Sequence, residues 1–291
     1  MPELPEIETL RMGLAPALEH RRLTKVVTRR GDLRVPFPPR FAERLAGREV
    51  KHLWRRAKYL LAELDDGETL VIHLGMSGRV AVYAENREHR PGHYVYEAPP
   101  SGAGHGKHDH VVIETDAPAR IVFTDPRRFG FMLLIESAAL NRHPLFDGLG
   151  IEPLSPQFTA AHLERVLEGR RAPIKAALLD QRTIAGLGNI YVCEALFRAG
   201  ISPRRQSSTI AGSRARALAA AIRSVLRAAI KAGGSSLRDY AKTDGALGEF
   251  QHHFAVYDRE GAPCPRARCK GKIKRIVQSG RATFYCPACQ R

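Results

Sequence analysis

The spacing of apolar residues changes character twice along this chain. Near the start, Ile7, Leu10 and Leu14 share one helical face, and Glu3, Glu6 and Glu8 crowd the end where a helix dipole favours negative charge. Residues 3–14 are therefore predicted to form a helix. From about residue 24 to 135 the apolar runs shorten to strand length: Tyr59 to Leu64, Thr69 to Leu74, Val111 to Glu114, Ile121 to Thr124 and Phe131 to Ile135. Turn signals such as Asp65-Asp66-Gly67 part them. These runs predict an antiparallel sandwich or barrel, with Pro99, Pro100, Gly102, Gly104 and Gly106 marking an irregular loop inside it. Beyond residue 150 the helical period returns, clearest where Leu218, Ala221, Ile222, Val225, Leu226, Ala229 and Ile230 form one stripe. Gly233-Gly234 closes that helix, and residues 235–250, rich in Ser, Gly and Lys, read as a mobile loop.

The fold class predicted is α+β multidomain. An antiparallel β-sandwich with an N-terminal helix is expected over residues 1–135, a helical domain over 136–250 and a β-hairpin segment over 251–291. A length of 291 residues suits about two cores. With 44% apolar and 26% charged residues, a disordered or fibrous chain is excluded. There is no apolar run of roughly 18 residues and no signal-peptide pattern in MPELPEIETL, so no membrane partner and a cytoplasmic location are expected. Charge changes the picture: 46 Lys plus Arg against 30 Asp plus Glu leave +16. Such an excess points to a polyanion, nucleic acid first, because basic clusters displace condensed counterions from phosphate.

Cys264, Cys269, Cys286 and Cys289 crowd the C-terminal end, whereas Cys193 stands alone in an apolar helical stretch and reads as a small buried hydrophobe. Two close pairs in a reducing compartment favour a metal over disulfides, and four thiolates at these spacings suit one tetrahedral structural Zn2+. Between the pairs, Ile273 to Val277, the turn Ser279-Gly280 and Arg281 to Tyr285 predict a β-hairpin. Lys270, Lys272, Lys274, Arg275 and Arg281 decorate it; so small a unit cannot bury them, and they are expected to face phosphate. The hairpin taken alone is equally compatible with a structural clip.

Pro2 follows Met1, which is normally trimmed before a small residue. Trimming leaves a secondary amine of reference pKa about 8, a far better nucleophile near neutrality than lysine. With Met1 retained, that nitrogen is acylated and inert. Glu3 sits beside it as a candidate acid or base.

PELPEIET at Pro2 to Thr9 resembles the opening of bacterial formamidopyrimidine-DNA glycosylases. The resemblance continues in order through RRAKYL (Arg55 to Leu60), HLGMSG (His73 to Gly78), KHDH (Lys107 to His110), DPRRFG (Asp125 to Gly130), GLGNIY (Gly186 to Tyr191) and RATFYC (Arg281 to Cys286). It implies a bifunctional DNA glycosylase and abasic-site lyase that removes 8-oxoguanine and formamidopyrimidines from double-stranded DNA, with a helix-two-turns-helix second domain. In that likeness Pro2 forms a Schiff base at C1′ and Glu3 protonates the opening sugar. Lys58 and Arg281 assist β- and δ-elimination. Met76, Arg127 and Phe129 are implied as the wedge that fills the gap left by a flipped base. His108, Arg127, Arg170, Lys175, Asn189 and Arg281 are implied as DNA contacts, and action as a monomer without a small-molecule cofactor is implied as well. One departure stands out: the first cysteine pair is separated by four residues where the family usually has two, so the loop leading into the hairpin must differ.

Two rivals remain open at this point. An endonuclease VIII-type enzyme shares the nucleophile but prefers oxidised pyrimidines. A non-catalytic zinc-ribbon DNA-binding protein needs only the charge and the cysteines, and leaves Pro2, Glu3 and Lys58 unexplained.

Overall fold

The computed structural model describes residues 2–84, 104–236, 242–244 and 246–291. The chain divides into two compact units, one built from Met1–Asp147 with Ala232–Glu249 and the other from Gly148–Lys231 with Phe250–Arg291.

The first unit opens with helix α1 (Leu4–Leu18), followed by β1 (Leu23–Thr28), the short helix α2 (Phe41–Leu45), β2 (Val50–Arg56), β3 (Tyr59–Leu64), β4 (Glu68–His73), β5 (Arg79–Ala84), β6 (Asp109–Thr115), β7 (Ala119–Thr124) and β8 (Phe131–Glu136). The strands make two four-stranded antiparallel sheets, ordered β1-β6-β7-β5 and β2-β3-β4-β8. One core joins both sheets to α1: Leu60, Leu70 and Met132 from one sheet meet Val111, Ile121 and Phe123 from the other, with Ile7, Leu10 and Leu14 of the helix. Each fully buried leucine there contributes about 2 kcal/mol by leaving water. The helix runs a turn beyond Leu14, adding Ala17 and Leu18 to its buried face. Three strands, β1, β2 and β5, fall outside the runs named above, and all three lie at sheet edges; polar residues interrupt β1 (LTKVVT) and β2 (VKHLWRR), whereas β5 (RVAVYA) alternates buried and partly exposed positions. The first two bury less than central strands and leave a weaker apolar run to read.

The second unit holds α3 (Ala160–Leu167), α4 (Ile174–Leu179), α5 (Asn189–Ala199), α6 (Ser213–Lys231) and a hairpin of β9 (Lys274–Gln278) with β10 (Arg281–Tyr285). Thr159 caps α3 by accepting from the His162 N–H, and Gly200 ends α5 in the left-handed conformation that a side chain would strain. Helix α5 is buried almost all round, including Glu194 at 0% exposure. That charge is tolerable because its carboxylate accepts backbone N–H bonds from Ala255, Val256 and Tyr257, each at 2.9 Å, which fastens the segment leading to the hairpin onto α5.

Of the loops expected from composition, Pro99, Pro100 and Gly102, and residues 237–241 and 245 within 235–250, lie outside the described residues. Among the described residues no helix is long and apolar enough to cross a membrane.

Candidate active site

Chain ends usually fray unless something ties them down. Here Pro2 and Glu3 are buried, Glu3 at 3% exposure, because the capping box of α1 holds them: the Glu3 N–H donates to Glu6 Oε2 at 2.8 Å. The other carboxylate oxygen of Glu6 accepts from Ser235, from its N–H at 2.8 Å and its hydroxyl at 3.1 Å. Glu6 thus joins the residue beside the candidate nucleophile to the start of the 235–250 segment. By sequence Glu6 reads only as one of the acidic residues at the helix start; its three-residue spacing from Glu3 is the signal of the capping box.

Lys58 sits at 8% exposure in the turn between β2 and β3, after Ala57, whose φ of 52° is unusual for a residue other than glycine. Arg55 braces that turn: its guanidinium donates to the Ala57 carbonyl at 2.8 Å and to Glu8 of α1 at 3.2 Å. Glu8 also accepts from Arg11 at 2.7 and 2.9 Å. The helix that begins just after Pro2 and the turn that carries Lys58 are therefore tied by an ion-paired bridge. Nearby, at the end of β4, His73 stacks on Phe131 with ring centroids 5.1 Å apart. Burial, reinforced by the charges of Lys58 and Arg34, lowers its pKa to about 4. The ring is neutral at physiological pH, and since Nδ1 accepts from the Gly75 N–H at 3.1 Å, Nε2 carries the proton. In the sequence His73 stands out only as part of the HLGMSG motif, and nothing there separates it from any other strand-end histidine.

Met76 and Phe129 stand 42% and 41% exposed, an uncommon state for large apolar side chains. They sit on two loops, residues 74–78 and 125–130, and Arg127 lies over the Phe129 ring with its guanidinium carbon 4.6 Å from the centroid. A Cβ on Gly75 would fall onto the backbone of Phe129 and Gly130, so the two loops run in backbone contact. His108 is half-buried on the adjoining segment, its carbonyl accepting from the Asp125 N–H at 3.0 Å.

In the second unit, Arg281 opens β10 and is exposed, as are Lys270, Lys272, Lys274 and Arg275. Two side chains converge on the carbonyl of the next residue, Ala282: Lys175 Nζ at 3.1 Å and Asn189 Nδ2 at 2.9 Å. Lys175 is fully buried at 0% exposure and also donates to Thr283 Oγ1 at 2.6 Å. Two donors of this residue, expected as a phosphate contact, thus point at the hairpin. Asn189 is the first residue of α5, with Gly188 in the capping position, and its amide reaches the hairpin rather than the helix end. Arg170 donates to Thr183 at 2.8 Å and to Asp180 at 3.3 Å, and stays partly exposed.

The cysteine cluster passes the test for zinc. The sulfurs of Cys264, Cys269, Cys286 and Cys289 all lie within 4.8 Å of one another, with Cys264 to Cys289 at 3.8 Å and Cys269 to Cys286 at 3.7 Å. A tetrahedron of sulfurs about 2.3 Å from a central zinc has edges of about 3.8 Å. Burial and the neighbouring sulfurs push the Cys289 thiol far up, so the four sulfurs need a cation to be thiolates together. The four residues between Cys264 and Cys269 are exposed, with Arg268 at φ 63° and the Arg266 guanidinium lying over the Phe197 ring and donating to the Phe197 carbonyl at 2.8 Å. Gly271 is obligatory, since a Cβ there would lie 2.9 Å from Cys286 Sγ and 2.7 Å from the Ala288 methyl. Cys193 lies outside the ligand set and packs as an apolar residue behind it, in one cluster with Phe197, Val256, Ile273 and Phe284.

Family models match in three blocks: the formamidopyrimidine-DNA glycosylase N-terminal domain over residues 1–132, the formamidopyrimidine-DNA glycosylase H2TH domain over 149–241 and the zinc finger found in FPG and IleRS over 261–291. The chain is 58% identical to the formamidopyrimidine-DNA glycosylase of Phenylobacterium zucineum and 55% identical to that of Ruegeria pomeroyi, each over 291 residues and the whole of both chains. Among solved structures it resembles the MutM (FPG) protein of Thermus thermophilus, with TM-score 0.81 and 38% identity over 99% of this chain and 98% of that one. It also resembles the Lactococcus lactis Fpg in complex with DNA containing an abasic site, with TM-score 0.83 and 30% identity over all of both chains. Buried Pro2 and Glu3 at the start of a helix bridged to the turn of a buried lysine, an exposed Met76–Phe129 pair and a four-cysteine zinc hairpin thus occur in a relative of these enzymes, and the chain belongs to the formamidopyrimidine-DNA glycosylase family.

Proposed function

We propose that this protein is a bifunctional DNA glycosylase and abasic-site lyase of base excision repair that acts on oxidised purines, 8-oxoguanine and formamidopyrimidines, in double-stranded DNA. The observation that carries this reading is the fastening of Pro2 and Glu3 into the protein at the capping box of α1, where an ordinary chain end would be loose. After removal of Met1, the Pro2 nitrogen attacks C1′ of the flipped nucleotide; the N–C1′ bond forms as the glycosidic bond breaks and the base leaves. Glu3 protonates the sugar ring oxygen as the C1′–O bond opens, and the nitrogen lone pair completes an iminium. The iminium acidifies the adjacent C–H, Lys58 assists the β-elimination that follows, and Arg281 assists δ-elimination. Water then hydrolyses the iminium and frees Pro2.

Residues 1–135 supply Pro2, Glu3, Lys58 and the wedge of Met76, Arg127 and Phe129, while residues 136–250 and the zinc finger, 251–291, hold the backbone, the zinc finger also contributing Arg281. His108, Arg170 and the exposed cations of the hairpin face phosphate, and Asn189 and Lys175 seat the strand that presents Arg281. The neutral His73 offers its Nε2–H as a further donor beside Lys58. Zinc holds the hairpin in shape and takes no part in the chemistry. The enzyme acts as a monomer on chromosomal DNA in the bacterial cytoplasm. Duplexes carrying 8-oxoguanine or thymine glycol test the assignment: cleavage on both sides of the 8-oxoguanine site, and faster than at thymine glycol, is expected. A preference for thymine glycol, or binding without cleavage of either, would refute it.

A further inference from the structure

Asp125 is a carboxylate at 0% exposure that the chemistry above does not use. Burying a charge without partners is costly, so its contacts show what it is for. Its Oδ1 accepts from the Ser77 hydroxyl at 2.5 Å, within the range of charge-assisted O–H···O⁻ bonds, and its Oδ2 accepts from the Gly130 N–H at 2.8 Å. The Ser77 oxygen accepts in turn from the Arg127 N–H at 3.2 Å. The Asp125 backbone extends the same junction: its N–H donates to the His108 carbonyl at 3.0 Å, and its carbonyl accepts from His110 Nε2 at 2.9 Å and from the Arg128 N–H at 3.3 Å. These bonds end on residues flanking the exposed side chains, Ser77 beside Met76, and Arg127 and Gly130 on either side of the 128–129 tip.

We propose that Asp125, through Ser77, is the positioning residue of the DNA wedge, locking the loops that carry Met76, Arg127 and Phe129 into one rigid blade. This rests on the wedge reading above. An apolar side chain can replace a stacked base only if its loop does not yield, because extrusion requires the protein to supply the lost unstacking energy. Two exposed loops without such a joint would fold away from the duplex. Asp125→Asn puts an N–H2 where one of two acceptors is needed, and Ser77→Ala removes the hydroxyl that links Asp125 to Arg127.

Excision of 8-oxoguanine from duplex requires extrusion, whereas borohydride trapping on a single-stranded oligonucleotide with an abasic aldehyde does not. Asp125→Asn and Ser77→Ala are expected to slow duplex excision about tenfold to a hundredfold, as a misplaced contact does, and to leave single-strand trapping within about twofold. They should also suppress the fluorescence rise of 2-aminopurine placed beside the lesion. If Met76→Ala/Phe129→Ala slows duplex excision while Asp125→Asn and Ser77→Ala do not, the positioning role is overturned and the wedge stands. If the Met76/Phe129 variant excises normally, the wedge reading itself fails. Should Asp125→Asn lose both activities, Ser77→Ala decides: slowed duplex excision with intact trapping supports the role, and unchanged excision overturns it.

Discussion

Single residues carry the chemistry, and their protonation is set by what surrounds them. His73 is held neutral first by burial and then by the charges of Lys58 and Arg34. Lys58→Met should therefore raise the His73 pKa from about 4 toward its usual value, visible in an NMR titration of the ring; an unmoved titration would contradict the link. The same shift has a sign for stability. The unfolded histidine binds its proton near pH 6.5 and the folded one only near 4, so acidification through that window favours the unfolded state. Melting temperature should fall as pH drops from 6.5 to 4, and His73→Gln should flatten that fall; equal slopes for both proteins would refute it. None of this is legible in the sequence, because a strand-end histidine shows no sign of which cations face it. The candidate roles of Pro2 and Glu3 can be read from the chemistry of a trimmed chain start, whereas that of Lys58 is legible only through the motif that holds it.

At the level of elements, the helical stripe of α6, the central strands β3, β4, β6 and β7, the strand β8 and the hairpin β9–β10 can be read from apolar spacing, since each shows a regular face. The edge strands β1 and β2 cannot, because their polar residues blur the pattern, whereas β5 (RVAVYA) shows a regular alternation. Partnerships across elements stay hidden for a related reason: that Lys175 is spent on Ala282 and Thr283 depends on α4 and β10 packing together. Lys175→Met should thus destabilise the hairpin by about 1–3 kcal/mol and weaken δ- more than β-elimination, read as the ratio of the two strand products. An unchanged ratio and melting curve would show the lysine to be dispensable there. The cysteine spacing is legible, but not the tightness of the cradle. Gly271→Ala should lower zinc occupancy by pressing a methyl onto Cys286 Sγ and Ala288, measured as metal content of the purified protein; full occupancy would exclude the crowding.

For the whole molecule, a charge of +16 predicts strongly salt-dependent DNA binding. Log affinity should fall linearly with log salt, with a slope near −0.9 per phosphate neutralised, and neutralising Arg275 and Lys274 should make that slope shallower by about two phosphates' worth. An unaltered slope would place the hairpin cations in solvent. Charge alone, however, fits any DNA binder; what distinguishes an amine-nucleophile lyase from a mere binder is the covalent bond it forms with its substrate. Borohydride trapping on DNA containing 8-oxoguanine, run with protein trimmed to Pro2 and with protein retaining Met1, tests that bond most directly. The trimmed protein should yield an adduct whose protein end maps to Pro2, and the Met1-bearing protein should yield none. Equal trapping by the two forms would contradict the central role of the Pro2 nitrogen.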